Sequence, residues 1–436
     1  ERLRQWRSLG LIGVEGGEGF EPEDMERVPL VQALLRRGIR LEAIAKADRE
    51  QGGLVRRYLN LLPAEGLRPI YSMEEAAEIV GLKLDLVRRF REASGLSGQG
   101  EAVSEEDFQA LRNFKAALDA GFPEEALVQL VRVYSDALGR VAEAEQRLFH
   151  FYVHQRLEST GLSGLELVER SQAVGNQMLP LIEPSILYFH RKGQAKAARE
   201  DMVMHLAEET GLAEKGEAPG QLELAITFVD LSSFTPLAEA MGDVKAAEVL
   251  ERFSALVREA ARRWDGRVVK QIGDAFLLVY PEPRSAVACS LEIEARTSRE
   301  PQFPAVRSGV HWGSVLYREG DYVGSNVNIA ARVAAEAGRH QVLVTSAVRK
   351  EAKGLAEVEF VRLGKRRLKG LADDLELFEA RPSGAEAREK VVDPVCGMEL
   401  GAGEVTATLT LEGEERAFCS DECLRRFVAA PEKYSG

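Results

Sequence analysis

Apolar positions along residues 1–207 recur at helical spacing in a background of Ala, Leu, Glu and Arg. The stretch 108–118, "FQALRNFKAAL", sets Phe108, Leu111, Phe114 and Leu118 on one face, the stripe a helix buries. From residue 221 the period changes. "LELAITFVD" alternates as a strand, and 243–263 follows as an amphipathic helix with Leu250, Phe253, Val257 and Ala260 on one side. A hairpin is expected at 266–281, where "VVKQIGDAFLLVY" breaks two β-favouring runs at Gly273. A helix near 285–297, a strand around 308–317, a helix from about 326 to 337 and short strands to 380 complete this part. Strand, helix, hairpin, helix and strand in that order predict a ferredoxin-like βαββαβ core. The expected fold class is α+β and multidomain: an all-α N-terminal region, the βαββαβ domain and a small Cys-containing C-terminal module.

The helical half repeats itself at a period of about 83 residues. "LRQWRSLGL" at 3–11 resembles "VRRFREASGL" at 87–96, and 20–39 aligns with 103–122, pairing Asp24 with Asp107, Met25 with Phe108 and Gly38 with Gly121. Each copy has an acidic cluster and then an apolar helix stopped at Gly. The boundaries expected are 1–70 and 71–207 for the helical half, 221–381 for the βαββαβ domain and 391–436 for the tail. Linkers rich in Gly, Glu and Ala lie at 209–220 and 381–390.

Composition narrows the classes. With 45% hydrophobic residues the chain packs as a globular protein, and no run approaches the roughly 20 apolar residues of a membrane span. No signal peptide is evident, and a cytoplasmic location is the expectation, although the chain begins at Glu1 rather than Met. The net charge of −13 argues against a nucleic-acid partner. Of four cysteines, three (Cys396, Cys419, Cys423) fall in the tail, which favours a local metal or redox site over a disulfide framework.

Asp230 ends the first strand in "FVDLSSFT", and Asp274 lies at the hairpin turn. Carboxylates at two adjacent strand ends suit a hard divalent cation, although solvated turn aspartates look the same in sequence. Lys270 shares the hairpin with Asp274, as a surface ion pair would. Downstream, "GDYVGSNVNIAAR" carries Asp321 before a helix and Asn328 and Arg332 one turn apart on it.

Together "FVDLSSFT", "KQIGDAF" and "GDYVGSNVNIAAR" resemble the three signature segments of the class III nucleotide cyclase catalytic domain, in order and spacing, over roughly 160 residues. The resemblance implies that Asp230 and Asp274 bind two Mg²⁺ or Mn²⁺ ions and that Lys270 and Asp321 select the base. It also implies that Asn328 orients the ribose, Arg332 stabilises the transition state, Lys369 in "RLKG" meets the polyphosphate, and Phe234 and Thr235 belong to substrate binding. In this family each site lies between two catalytic domains, so a homodimer is implied, and Lys270 and Asp274 serve different sites. Lys270 donates and ionised Asp321 accepts, which complements the 6-amino group and N1 of adenine; guanine reverses both roles. The expected partner is ATP and the product 3′,5′-cyclic AMP.

The tail, "DPVCGMEL…FCSDECLRRFVAAPEKY", resembles a YHS domain, with Arg416 and Ala417 where aromatic residues are usual. Its three thiolates would suit Zn²⁺ or Cu⁺, with a fourth ligand unassigned. Cys289, on an apolar helix face, reads as core. Residues 71–93 resemble the winged helix-turn-helix of MerR-type regulators, which makes a DNA-binding, nucleotide-sensing regulator the alternative. Fifteen acidic against nine basic side chains in 71–150, about −6, oppose it. The N-terminal half also resembles the helical regulatory domain of certain actinobacterial cyclases whose catalysis depends on pH. His150, His154, His190 and His205 fall just ahead of the catalytic segment, where a histidine switch would sit.

Overall fold

The computed structural model describes residues 2–13, 19–20, 24–50, 69–95, 102–211, 216, 218–300, 303–371, 373–384, 391–401, 404–411 and 413–434. Parts of both expected linkers, 212–215, 217 and 385–390, lie outside the described residues. The chain forms two compact units, Glu1–Glu214 and Lys215–Gly436.

The second unit is built on one long sheet. Strand β1 (Gln221–Leu231) is followed by helices α1 (Phe234–Met241) and α2 (Asp243–Arg263), then by the hairpin β2 (Arg267–Ile272) and β3 (Ala275–Tyr280). Helix α3 (Pro283–Thr297), strands β4 (Val306–Arg318) and β5 (Asp321–Val323), helix α4 (Ser325–Glu336) and strand β6 (Val342–Thr345) continue the chain. Helix α5 (Ser346–Glu351) and strands β7 (Val358–Arg366) and β8 (Leu375–Pro382) close it. The sheet order is β2-β3-β1-β4-β6-β8-β7, with β5 paired to β4. The first four strands therefore hold the ferredoxin-like order, and β6 is added parallel to β4 through the α4 crossover.

Each β1 face has its own cover. Val229 and Leu231 pack with Phe253 and Val257 of α2 and Val287 and Ile293 of α3. Leu224 and Ile226 point the other way, into a smaller cluster with Leu277, Val315 and Ala330 of α4. The helix reaches the sheet closely because Gly309 carries no side chain: a Cβ there would lie 2.1 Å from the Ala334 nitrogen. Cys289 is fully buried in the α2–α3 core, and burial pushes its thiol up to about 12.

The tail joins this unit rather than hanging from it. Strands β9 (Val391–Val392) and β10 (Glu399–Leu400), the hairpin β11 (Ala407–Leu411) and β12 (Glu414–Phe418), and helix α6 (Asp421–Ala429) make a small module. Its Val395, Met398, Phe418 and Phe427 are buried in the same apolar cluster as α2 and α3. The two positions that depart from the usual YHS aromatics are accommodated: Ala417 is buried, and the Arg416 guanidinium lies 5.3 Å from the Phe427 ring centre.

The first unit is helical apart from one antiparallel pair, Pro69–Ser72 with Ala102–Ser104. Helix Met73–Val80, a left-handed turn at Gly81 and helix Leu84–Ala93 form the expected helix–turn–helix. Phe108, Leu111 and Phe114 are buried along Glu105–Asp119, as their spacing requires. The repeat is visible in its anchors: Trp6 and Phe90 are both buried, and Gly38 and Gly121 both take positive φ after their helices. Helix Glu124–Phe149 passes into a π-helical turn at His150–His154, and Gly164–Glu209 is a single 46-residue helix. Among the described residues no helix is long and apolar enough to cross a membrane.

Candidate active site and cysteine cluster

Three elements bring the first group of residues together. Asp230 stands at the C-terminal end of β1, in register with Arg307 on β4, and β1 also pairs with β3, whose hairpin turn presents Asp274. Arg307 donates from Nε (3.0 Å) and Nη2 (2.5 Å) to Asp230 Oδ2. Asp274 is half-buried, and burial together with the neighbouring Asp230 charge pushes its carboxyl up to about 6. The Asp230 charge opposes ionisation of Asp274, a repulsion that a divalent cation relieves, and the hard oxygen donors of the two side chains fit Mg²⁺ or Mn²⁺. Sequence reading missed Arg307. Only the cross-strand register reveals it, because the residue lies 77 positions from its partner.

The second group shares the hairpin through Lys270 alone. Lys270, on β2, is ion-paired with Asp321 at the start of β5, not with Asp274. The partner of Lys270 thus lies 51 residues away in sequence, and the bland alternative of a surface pair with Asp274 is not what forms. Both side chains remain partly exposed, so a ligand can reach them.

Asn328 and Arg332 lie on α4, and both are exposed. Among the described residues neither has a hydrogen-bond or ion-pair partner. The start of α4 is fixed by a buried network that sequence reading also missed. His311 Nδ1 is 2.9 Å from Thr345 Oγ1, His311 Nε2 is 2.9 Å from Asn326 Oδ1, and Asn326 Nδ2 donates to the Ser314 carbonyl (2.7 Å). Facing a carbonyl oxygen, Nε2 carries the proton; burial lowers the pKa of this imidazole and keeps it neutral. Phe234 and Thr235 open the first turn of α1, and Lys369 is exposed just beyond β7.

The tail cysteines converge. Cys396 and Cys419 Sγ lie 3.5 Å apart, and Cys419 and Cys423 Sγ 3.6 Å apart. With an Asp393 oxygen, all these atoms fall within 4.8 Å of one another. Thiolates at 2.3 Å around a tetrahedral zinc are about 3.8 Å apart, so the spacing fits a metal with little movement. Bonds from Cys396 and Cys419 hold the Cys423 thiol far below its ordinary range, and the cost of the arrangement falls on Cys396, whose thiol is raised.

The four histidines of the first unit do not form one cluster. His150 and His154 stack with ring centres 5.3 Å apart, and His154 Nδ1 is 3.1 Å from Ser171 Oγ. His205 lies near Asp201 and Glu208 on its own helix, and His190 is exposed.

Comparison with known proteins agrees with this layout. Residues 217–379 match the adenylate and guanylate cyclase catalytic domain, residues 14–190 the adenylate cyclase regulatory domain, and residues 391–436 the YHS domain. The winged helix-turn-helix likeness of residues 71–93 thus falls inside the regulatory domain. A pH-sensitive adenylate cyclase of Mycobacterium tuberculosis is 29% identical over 375 residues, covering 82% of this chain and 88% of that protein. An uncharacterised protein of Mycobacterium bovis is 30% identical over 329 residues, covering 74% and 83%. An adenylate cyclase of Streptomyces coelicolor is 28% identical over 284 residues, covering 64% and 71%. The chain belongs to the class III cyclases, as an adenylate cyclase with a regulatory domain before its catalytic domain and a YHS domain after it.

Proposed function

We propose that the chain converts ATP to 3′,5′-cyclic AMP and pyrophosphate at sites shared between two copies of its catalytic domain, with Asp230 and Asp274 holding two Mg²⁺ or Mn²⁺ ions. The observation that supports this reading is that one hairpin contributes Asp274 to a pair with Asp230 and Lys270 to a separate pair with Asp321. Bound divalent cations supply acidification of the ribose 3′-hydroxyl and neutralisation of the triphosphate. Arg307 holds one Asp230 oxygen, which leaves the other free to ligate. Lys270 donates to N1 of the base and Asp321 accepts from its 6-amino group; for guanine both contacts would set like against like. Asn328 orients the ribose. Arg332 meets the charge that builds on the α-phosphoryl oxygens, worth about 3–4 kcal/mol by comparison with other lost transition-state donors. Lys369, Phe234 and Thr235 complete the substrate contacts.

The exposure of Asn328 and Arg332 without partners among the described residues, and of the apolar Ile272, Tyr317 and Val323, supports a shared site. A second copy would cover those side chains. The tail cysteines hold Zn²⁺ or Cu⁺, and the first unit regulates turnover from within the cytoplasm. Purified chain supplied with Mn-ATP or Mn-GTP and assayed for the cyclic nucleotide tests the assignment. Cyclic AMP is expected to exceed cyclic GMP by at least about a hundredfold. Equal turnover of GTP would overturn the base-reading roles of Lys270 and Asp321.

A further inference from the structure

We propose that the cysteine cluster is an effector site for a thiophilic cation, and that the loop carrying Asp230 reads its occupancy. The inference rests on the reading of Cys396, Cys419 and Cys423 as metal ligands and adds what that site does. The connection is a direct contact. Gly397, next to Cys396, is packed so closely on Ser233 that a Cβ there would lie 2.5 Å from the Ser233 Cβ and 2.9 Å from its Oγ. Ser233 stands three residues after Asp230, at the position immediately before the helix that begins with Phe234 and Thr235, and its side chain makes no capping bond to that helix. Its φ of 65° is in the left-handed region, which a β-substituted residue holds only when its surroundings enforce it.

Arg339 supplies that enforcement. Its Nη1 donates to Ser233 Oγ (3.0 Å), its Nη2 to the Gly397 carbonyl, and its Nε to Glu399 Oε1 (3.2 Å). One guanidinium therefore clamps the active-site loop to both ends of the Gly397–Glu399 segment.

On the other side, Asp393 makes the cysteine loops one piece. It is fully buried, its Oδ1 accepting from Val395 N (2.8 Å) and Cys396 N (3.3 Å) and its Oδ2 from Cys419 N (2.8 Å). With both oxygens engaged by backbone, Asp393 positions the thiolates rather than joining them, and the site is a three-thiolate one. A cation bound to those three sulfurs, which already stand near metal-bound spacing, fixes the 396–397 turn against Ser233. Without it, the cysteine loops lose that cross-link and the brace slackens. Occupancy of the tail therefore raises the affinity of the Asp230–Asp274 pair for its own cation. Coupling energies of this kind correspond to about fivefold or more in affinity, and the effect must be reciprocal.

The test uses the full chain, stripped with chelator and given one equivalent of Cd²⁺. Thiolate-to-cadmium ultraviolet absorption and the metal-to-protein ratio after desalting report the tail; the electron paramagnetic resonance of free Mn²⁺ reports the catalytic pair. The expected result is one thiolate-bound Cd²⁺ per chain and Mn²⁺ binding at about fivefold lower concentration than in the stripped protein. Arg339→Gln should keep the cadmium band and lose the Mn²⁺ response. Absence of the band overturns the metal reading of the cysteines and this proposal with it. A band with unchanged Mn²⁺ binding overturns the coupling alone, as does an Arg339→Gln protein that still responds.

Discussion

Substituting Gly309 by Ala tests how α4 is held and what its position is worth. The added methyl would meet backbone, at 2.1 Å from Ala334 N, 2.5 Å from Ala334 Cα and 2.6 Å from Val333 C. No side-chain rotation relieves such contacts. Ordinary contact begins at 3.4 Å, so α4 must lift from β4 by about 1.3 Å. Overpacking of this kind costs about 1–3 kcal/mol, which for a unit of this size lowers Tm by roughly 3–10 °C. Activity should suffer more, because Arg332 immediately precedes Val333, and Asn328 rides on the same helix. A displacement near 1 Å reduces turnover on the order of 100-fold, equivalent to about 2.7 kcal/mol of transition-state stabilisation. Mn²⁺ binding, proposed for Asp230 and Asp274 on other elements, should be preserved. Initial rates at saturating Mn-ATP, melting curves and Mn²⁺ titration separate these effects. Gly313→Ala provides an internal comparison, since the atoms nearest its methyl belong to the Asn326 side chain rather than to backbone, and it should cost less. A Gly309→Ala protein with unchanged melting and more than half the normal rate would refute the claim that close helix–sheet approach positions the catalytic pair.

Four further outcomes are expected. Mixing inactive Asp274→Ala with inactive Arg332→Ala should restore activity by forming one intact shared site; exchange of subunits without recovery removes the shared-site arrangement. In the metal-free protein the raised Asp274 pKa means that stability falls as pH rises from about 4 through 6, because the folded state prefers the protonated acid. Asp274→Asn should therefore raise metal-free stability at pH 7 by about 1 kcal/mol after allowance for solvent screening, read as a higher Tm, and abolish stabilisation by Mn²⁺. His340 Nε2 lies 2.8 Å from Glu399 of the tail and Nδ1 3.3 Å from Glu294 of α3; burial alone would lower its pKa, but the two carboxylates outweigh it and raise it. Its contribution to tail docking is thus full below the ordinary imidazole range and lost as pH rises through the raised value, so proteolysis of the tail should increase with pH in wild type and not in His340→Gln. Finally, if histidines in 150–205 gate the enzyme, the full chain should respond more sharply between about pH 6 and 8 than a protein starting at Gly220; superimposable rate profiles would end that idea.

Much of the catalytic unit was legible because its signals are local. Helix 243–263 was bounded by its apolar stripe and strand 221–231 by its alternation, and Gly273 marked the turn between β2 and β3. Asp230, Asp274 and Asp321 were found because short motifs place them at strand ends and turns. What escaped notice depends on register or docking. Arg307 meets Asp230 only because β1 and β4 pair in one register, and His311 reaches Asn326 only after α4 has folded back on β4. Asp393 resembled any turn aspartate until both its oxygens were seen to hold the cysteine loops. The attachment of the tail was hidden for the same reason, since an apolar Val395 or Phe427 does not announce which core it will enter.

That attachment has a consequence for synthesis. Phe427 and Phe418 complete an apolar cluster begun by β1 and α2, some two hundred positions earlier in the chain. The catalytic core therefore stays open on one side until Phe418 and Phe427 have left the ribosome. A chain interrupted after β8 would leave an apolar, incomplete surface exposed to chaperones and proteases. The cysteine module thereby acts as a late-arriving cover for the domain that precedes it.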